Sequence, residues 1–378
     1  MASSRPVFES ERARHPELRG REDVLALMED WLSGSADRGW LLITGSPGSG
    51  KSAVLSHFIA AREKIGQAVP QHFLRRGVSD WDQPYAIQSS LVAQIEALFP
   101  SSSNPDARPE RRLVELLLRI SNRQLIPSHQ RLLLIVDGLN EAVAEGSDNP
   151  LPRFLPQALP PGVFLVCSIR SGHPYLSFFA ERSFRCIDLD RGVDGKHRAS
   201  QALWSYHGPR LSLPPEYIKT AVRCAEGNPL HALMLAGYLE RMSPAERMAR
   251  MGEPVPYGLW GMLEFLSQPL WEEHQLEPSP NAEPPARTAL GLLCAARTAL
   301  PWELLGAILG TSFTAAAPGG DSPADVRRLA APFLQSEPTS LGEGHRLGHD
   351  CFRELVVARL GAQEMRRLHR KLAQSLAC

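Results

Sequence analysis

Apolar residues follow two different rhythms along this chain. In REDVLALMEDWL (Arg21 to Leu32), Val24, Leu25, Leu27, Met28, Trp31 and Leu32 share one helical stripe. WLLIT (Trp40 to Thr44) is instead an almost unbroken apolar run, the pattern of a strand covered on both faces of a parallel sheet. RLLLIVDGLNEA (Arg131 to Ala142) and GVFLVCSIRSGHP (Gly162 to Pro174) carry similar runs, and QHFLRR (Gln71 to Arg76) and RCIDLD (Arg185 to Asp190) read as two shorter strands. The stretches KSAVLSHFIAAREKI, PYAIQSSLVAQIEALF and RRLVELLLRISNRQL between them are helical in pattern. Buried strands alternating with helices predict an α/β fold around an open parallel sheet.

After Asp190 the strand signal fades. GKHRASQALWSYHG, PEYIKTAVRCAEG and NPLHALMLAGYLERM read as helices set apart by Gly and Pro turns. RTALGLLCAAR and PWELLGAILG are two more, followed by a short hairpin in FLQSEPTSLGEGHRLGHD and a helix from CFRELVVARL. The predicted organisation is a flexible tail over 1–14, a sheet domain over 15–190, a helical domain over 191–252 and a winged-helix domain over 253–378. A Pro-rich loop is expected over 275–286, around QLEPSPNAEPP.

Composition narrows the class of protein. Lys plus Arg and Asp plus Glu both number 41, so no net field points to nucleic acid or an anionic membrane. Hydrophobic residues at 43% allow a substantial core. No segment reaches the ~18 apolar residues of a membrane helix, and the polar start MASSRPVFESERARHPELRG has no secretory pattern. The six scattered cysteines include no C-x-x-C pair, which fits a reducing, cytoplasmic setting.

The chemistry concentrates between the first strand and its helix. Gly45-Ser46-Pro47-Gly48-Ser49-Gly50-Lys51-Ser52 matches G-x-x-x-x-G-K-[ST] in the strand–loop–helix context that a phosphate loop requires. Its glycines let backbone N–H groups approach phosphates, and the helix that follows, through Ala53, adds its positive end. Lys51 is expected to meet the β- and γ-phosphates, and the Ser52 hydroxyl to ligate Mg²⁺. Asp137, closing LLLIVD, is the expected second Mg²⁺ holder. Glu141 suits either a base that polarises water or a solvated loop acid or helix cap, and Arg170 either a γ-phosphate contact or a surface ion pair. Pro229 suits a helix start, and the lone His349 suits a structural role.

Taken together, these stretches resemble the STAND class of signal-transduction ATPases, and within it the bacterial NACHT-type modules. LRGRE (Leu18 to Glu22) is similar to the opening motif that packs on adenine, which brings Arg21 into the cofactor set. GSPGSGKS resembles Walker A, LLLIVDGLNEA the extended Walker B strand, and LVCSIRS the sensor strand with its Arg170. GNPL resembles the motif through which the helical domain touches nucleotide at Pro229. HRLGHDCFRELV is similar to the winged-helix segment whose His, here His349, contacts the β-phosphate of ADP. Asn140 departs from the family's usual Asp.

The resemblance implies an ATP/ADP switch with slow Mg²⁺-dependent hydrolysis by Lys51, Asp137, Glu141 and Arg170. It also implies self-association in the ATP state, with effector and sensor modules elsewhere in a longer chain or on separate chains. No membrane partner is expected. Three alternatives stand beside it: a small-molecule kinase, an initiator-like ATPase whose winged helix binds DNA, and a nucleotide-binding scaffold without turnover. The DNA reading needs a basic recognition helix, for which EMRRLHRKL (Glu364 to Leu372) is the candidate, or else the solvated face of a terminal helix.

Overall fold

In the computed structural model, the described residues are 8–102, 111–144, 148–191, 197–272, 285–296, 298–309, 327, 330–339 and 341–376. They form two compact units. The first takes in residues up to Arg76, Asp80–Arg210 and Glu226–Leu230; the second holds Gly77–Ser79, Leu211–Ala225 and the chain from His231.

Five parallel strands build the first unit: β1 (Gly39–Gly45), β2 (Gln71–Phe73), β3 (Leu132–Asp137), β4 (Val163–Arg170) and β5 (Phe184–Asp188). Their order is β2-β3-β4-β1-β5. Alternation along each strand decides which layer a side chain joins. Trp40, Leu42, Leu134, Val136, Leu165 and Cys167 face one apolar layer, closed by α4 (Pro84–Leu98) and α5 (Arg112–Ile120). Leu41, Ile43, Leu133, Ile135, Phe164 and Val166 face the other, closed by α2 (Glu22–Ser33) and α3 (Lys51–Lys64). Strands packed on both faces need apolar residues at every position, which is why the sequence shows runs there rather than alternation. This is the fold of a P-loop NTPase, with a largely helical C-terminal region after it.

Two details differ from the sequence reading. Residues 1–7 of the expected tail lie outside the described residues, but from Phe8 the chain is packed, not a tail. Helix α1 (Glu9–Ala13) is anchored by Phe8, whose ring meets His72 and Trp81 at 5.0 and 4.9 Å. Helix Arg198–Arg210 and the segment Glu226–Leu230, assigned by sequence to the helical domain, group with the sheet. An ion pair of Arg198 with Asp23 at 3.4 Å ties that helix to the start of α2.

Among its described residues, the second unit is helical apart from one small antiparallel sheet. Strands β6 (Leu300–Pro301), β7 (Leu334–Thr339) and β8 (Gly342–Leu347) lie in the order β6-β8-β7, so the expected hairpin is β7–β8. The last helix, Asp350–Leu376, breaks direction at Gly361, where φ is 78°. Its Phe352 stacks on Phe333 with centroids 3.7 Å apart. Met365, Leu368 and Leu372 are buried while Arg366, His369 and Arg370 are exposed, so EMRRLHRKL lies along an amphipathic helix with its charges outward. The Pro-rich run falls mostly outside the described residues.

Candidate nucleotide-binding site

The carboxyl ends of parallel strands are where open α/β sheets bind ligands, and the predicted residues from Gly45 to Ala53, with Asp137, Glu141 and Arg170, lie there. Leaving β1, the chain turns with Gly48 at φ 76° and Gly50 at φ 95°, values that only glycine adopts without strain. Space demands glycine at Gly48 as well: a Cβ there would lie 2.8 Å from Asn228 Oδ1 and from Leu230 Cβ. Lys51 opens α3 and folds back over the loop, its Nζ donating to Gly45 O at 2.8 Å and Ser46 O at 2.9 Å. Burial draws its pKa down to about 8, against the pull of Asp137. A half-buried ammonium resting on backbone carbonyls can exchange those acceptors for the oxygens of an anion.

Opposite the loop, Ser52 Oγ donates to Asp137 Oδ2 at 2.7 Å. The other oxygen, Oδ1, accepts from Ser168 Oγ at 2.5 Å, and that hydroxyl also accepts from the Gly138 N–H at 2.8 Å. Strand β4, standing between β1 and β3, supplies Ser168. Two residues further on, Arg170 is in register with Gly45 at the end of β1. The Asn140 side chain accepts from the Arg170 N–H at 3.2 Å, a structural task for the residue that departs from the family's Asp. Glu141 is buried, not a solvated loop acid: it accepts from Arg75 Nη1 at 3.2 Å and from the Arg76 N–H at 3.0 Å.

Arg21, just before α2, donates through Nη2 to Ser49 O at 3.2 Å, while its buried Nε has no hydrogen-bond partner. Burial lowers its pKa. The GNPL segment also reaches the loop. Asn228 Nδ2 donates to Pro47 O at 2.8 Å and the Leu230 N–H to Gly48 O at 3.3 Å. Pro229 Cγ would lie 3.6 Å from a Cβ on Gly50. His349 belongs to the second unit, between β8 and the last helix, where its carbonyl accepts from the Phe352 N–H.

Sequence reading missed Ser168, Asn228, Asp190 and Arg75. Asp190 accepts from both the N–H and the hydroxyl of Ser46, at 2.7 and 2.9 Å. Ser168 had one signal, a polar residue inside an apolar strand. Fit to Mg²⁺–nucleotide is good. Among the described residues no group of three or more His, Cys, Asp or Glu side chains could hold a metal alone. Mg²⁺ is usually held by one or two carboxylates together with substrate phosphates, which Ser52 and Asp137 suit.

The family model described as Nephrocystin 3, N-terminal, matches residues 25–160, which hold the phosphate loop and Asp137. No relative is found among curated proteins. Among solved structures, the chain is similar to a STAND protein with a tetratricopeptide repeat sensor from Pyrococcus horikoshii. The identity is 13% and the TM-score 0.45, over 94% of this chain and 45% of that one, so this chain spans less than half of that protein's length. The ORC2 protein of Aeropyrum pernix, in ADPNP–ADP complexes, is 15% identical with a TM-score of 0.38, over 96% of each chain. The ORC1 protein of the same organism, in complex with DNA, is 15% identical with a TM-score of 0.37, over 93% of this chain and 95% of that one.

Proposed function

We propose that this chain is an ATP/ADP switch of the STAND, NACHT-like kind. In this reading it hydrolyses ATP slowly and couples the nucleotide to opening and self-association in signalling or defence. The observation that carries it is the attachment of Glu226–Leu230 to the phosphate loop through Asn228 and Leu230. From His231 onward the chain belongs to the second unit. A ligand that reshapes the loop therefore acts on the segment Glu226–Leu230, which a small-molecule kinase would not require.

The residues divide the work as follows. Lys51 exchanges its carbonyl acceptors for the β- and γ-phosphates, and loop N–H groups from Gly48 to Ala53 surround them. Ser52 and Asp137 would hold Mg²⁺, with Ser168 fixing the rotamer of Asp137. Mg²⁺, when bound, neutralises charge across the β- and γ-phosphates. Glu141 orients the attacking water, Arg170 meets the γ-phosphate beside Gly45, and Arg21 packs near the base. The helices Pro285–Ala295 and Trp302–Leu309, the β7–β8 hairpin and the last helix suit a winged helix that presents His349 to ADP. The outward charges of the last helix, with Arg367 paired to Glu364 at 2.7 Å, fit a solvated face better than a DNA-reading helix.

The test is size against nucleotide. Glu141→Gln should bind Mg²⁺–ATP without turning it over and elute, with light scattering, as a larger species than the ADP-bound wild type. If it binds both nucleotides yet keeps one size throughout, the switch is lost and a plain P-loop ATPase remains.

A further inference from the structure

Behind the acid pair lies a charge cluster that phosphate binding does not account for. Glu11 of α1 is completely buried, and Arg75, just beyond β2, gives it a hydrogen bond from Nε at 2.8 Å. The same guanidinium donates from Nη1 to Glu141 Oε1 at 3.2 Å and places Nη2 3.6 Å from Asp137 Oδ2. Arg14 Nη1 also lies 2.7 Å from Glu11 Oε2. A buried carboxylate is costly unless cations meet it, so Glu11 needs Arg75. Arg75 in turn divides one charge among three acids from three parts of the chain.

Asp137 Oδ2, which Arg75 approaches, is also the oxygen that accepts from Ser52. That pair holds the metal in the function proposed above, on which this inference rests. A dication there and the Arg75 guanidinium draw on the same carboxylate charge.

We propose that Arg75 is shared between the N-terminal helix and the acid pair, so that docking of α1 and metal loading at Asp137 favour each other. Glu11 is then a positioning residue that draws Arg75 away from Asp137 and lowers the repulsion met by a metal. Metal on Asp137 leaves more of Arg75 to Glu11 and tightens α1. The two effects are equal by linkage. Besides Glu11, α1 is held by Phe8, by the Arg12–Glu63 pair at 2.6 Å and, just after it, by His57 Nε2 donating to His15 O at 2.9 Å. A partner that pulls α1 off would therefore weaken metal binding.

Mg²⁺ titration of fluorescent ADP binding tests this, together with hydrogen exchange over residues 8–15. Glu11→Gln should raise the half-saturating Mg²⁺ concentration by about three- to tenfold, the scale of one partly screened charge. Arg75→Gln should lower it by a similar factor, and the double variant should follow Arg75→Gln. Exchange over 8–15 should slow when Mg²⁺–ADP is added to wild type and stay unchanged in Arg75→Gln. Single variants that shift in the same direction, an additive double variant, or no shift would overturn the proposal. If Glu11→Gln fails to fold, Arg75→Gln and the exchange measurement decide alone. A wild type that binds no ADP overturns the nucleotide reading and this inference with it. A wild type that binds ADP while its variants match it overturns this inference only.

Discussion

The glycine loop is made of successive residues, Gly45 to Ser52, whereas the acids facing it are held by Arg75 and Arg76, just beyond β2, and by Ser168 of β4. On the loop side, strand, glycines and helix start follow one another in the chain, so local conformation alone nearly builds the proposed anion site. On the acid side, Ser168 lies 31 residues from Asp137, Arg76 lies 65 from Glu141, and Arg75 lies 64 from Glu11. That half exists only once the sheet has assembled. Function at the loop should therefore fail by loss of contacts, and function at the acids by loss of position.

The largest effect is expected on the loop side. Lys51→Ala removes the cation that would meet the phosphates and should cost roughly 1.5–3 kcal/mol of nucleotide binding, about ten- to a hundredfold in affinity. Calorimetry giving equal affinity for the variant and wild type would break the comparison at its root, because the loop would then not be the anion site.

Acid should strike the other half first. His72 in β2 donates from Nε2 to Trp81 O at 2.9 Å, and its buried Nδ1 has no partner. Burial lowers its pKa from 6.5 to about 4, so the unfolded chain takes up this proton first. The stability that His72 confers is complete above pH 6.5 and is lost as pH falls towards 4, by up to about 1.4 kcal/mol per pH unit. Thermal melts between pH 7 and 5 should steepen accordingly, and His72→Gln should flatten the profile. An unchanged slope in that variant would place the acid sensitivity elsewhere.

A smaller effect sharpens the contrast. Ser168→Ala removes the hydroxyl that fixes Asp137 Oδ1 and supports Gly138. It should weaken Mg²⁺-dependent nucleotide binding by about 1 kcal/mol and leave metal-free ADP binding almost unchanged. Equal losses with and without Mg²⁺ would show that Ser168 supports the fold rather than the metal position.

The sequence by itself determined the layered sheet, the glycine turn between β1 and α3, and the place of Asp137 at the end of β3. Apolar runs, glycine turns and helix starts are signals between near neighbours, and near neighbours set backbone conformation. It also brought Arg21, Arg170 and Pro229 to the loop's surroundings through motifs, but without their partners. Only the tertiary structure decided that Arg75 stands among Glu11, Glu141 and Asp137, that Ser168 orients Asp137, that Asn228 grips Pro47, and that the chain is packed from Phe8 onward. A side chain's partner across the sheet depends on strand order and register, and the inserted β4 decides both here. Charge sharing among residues from distant segments has no period or spacing to announce it. It arises because buried charges must find counter-charges wherever the fold delivers them.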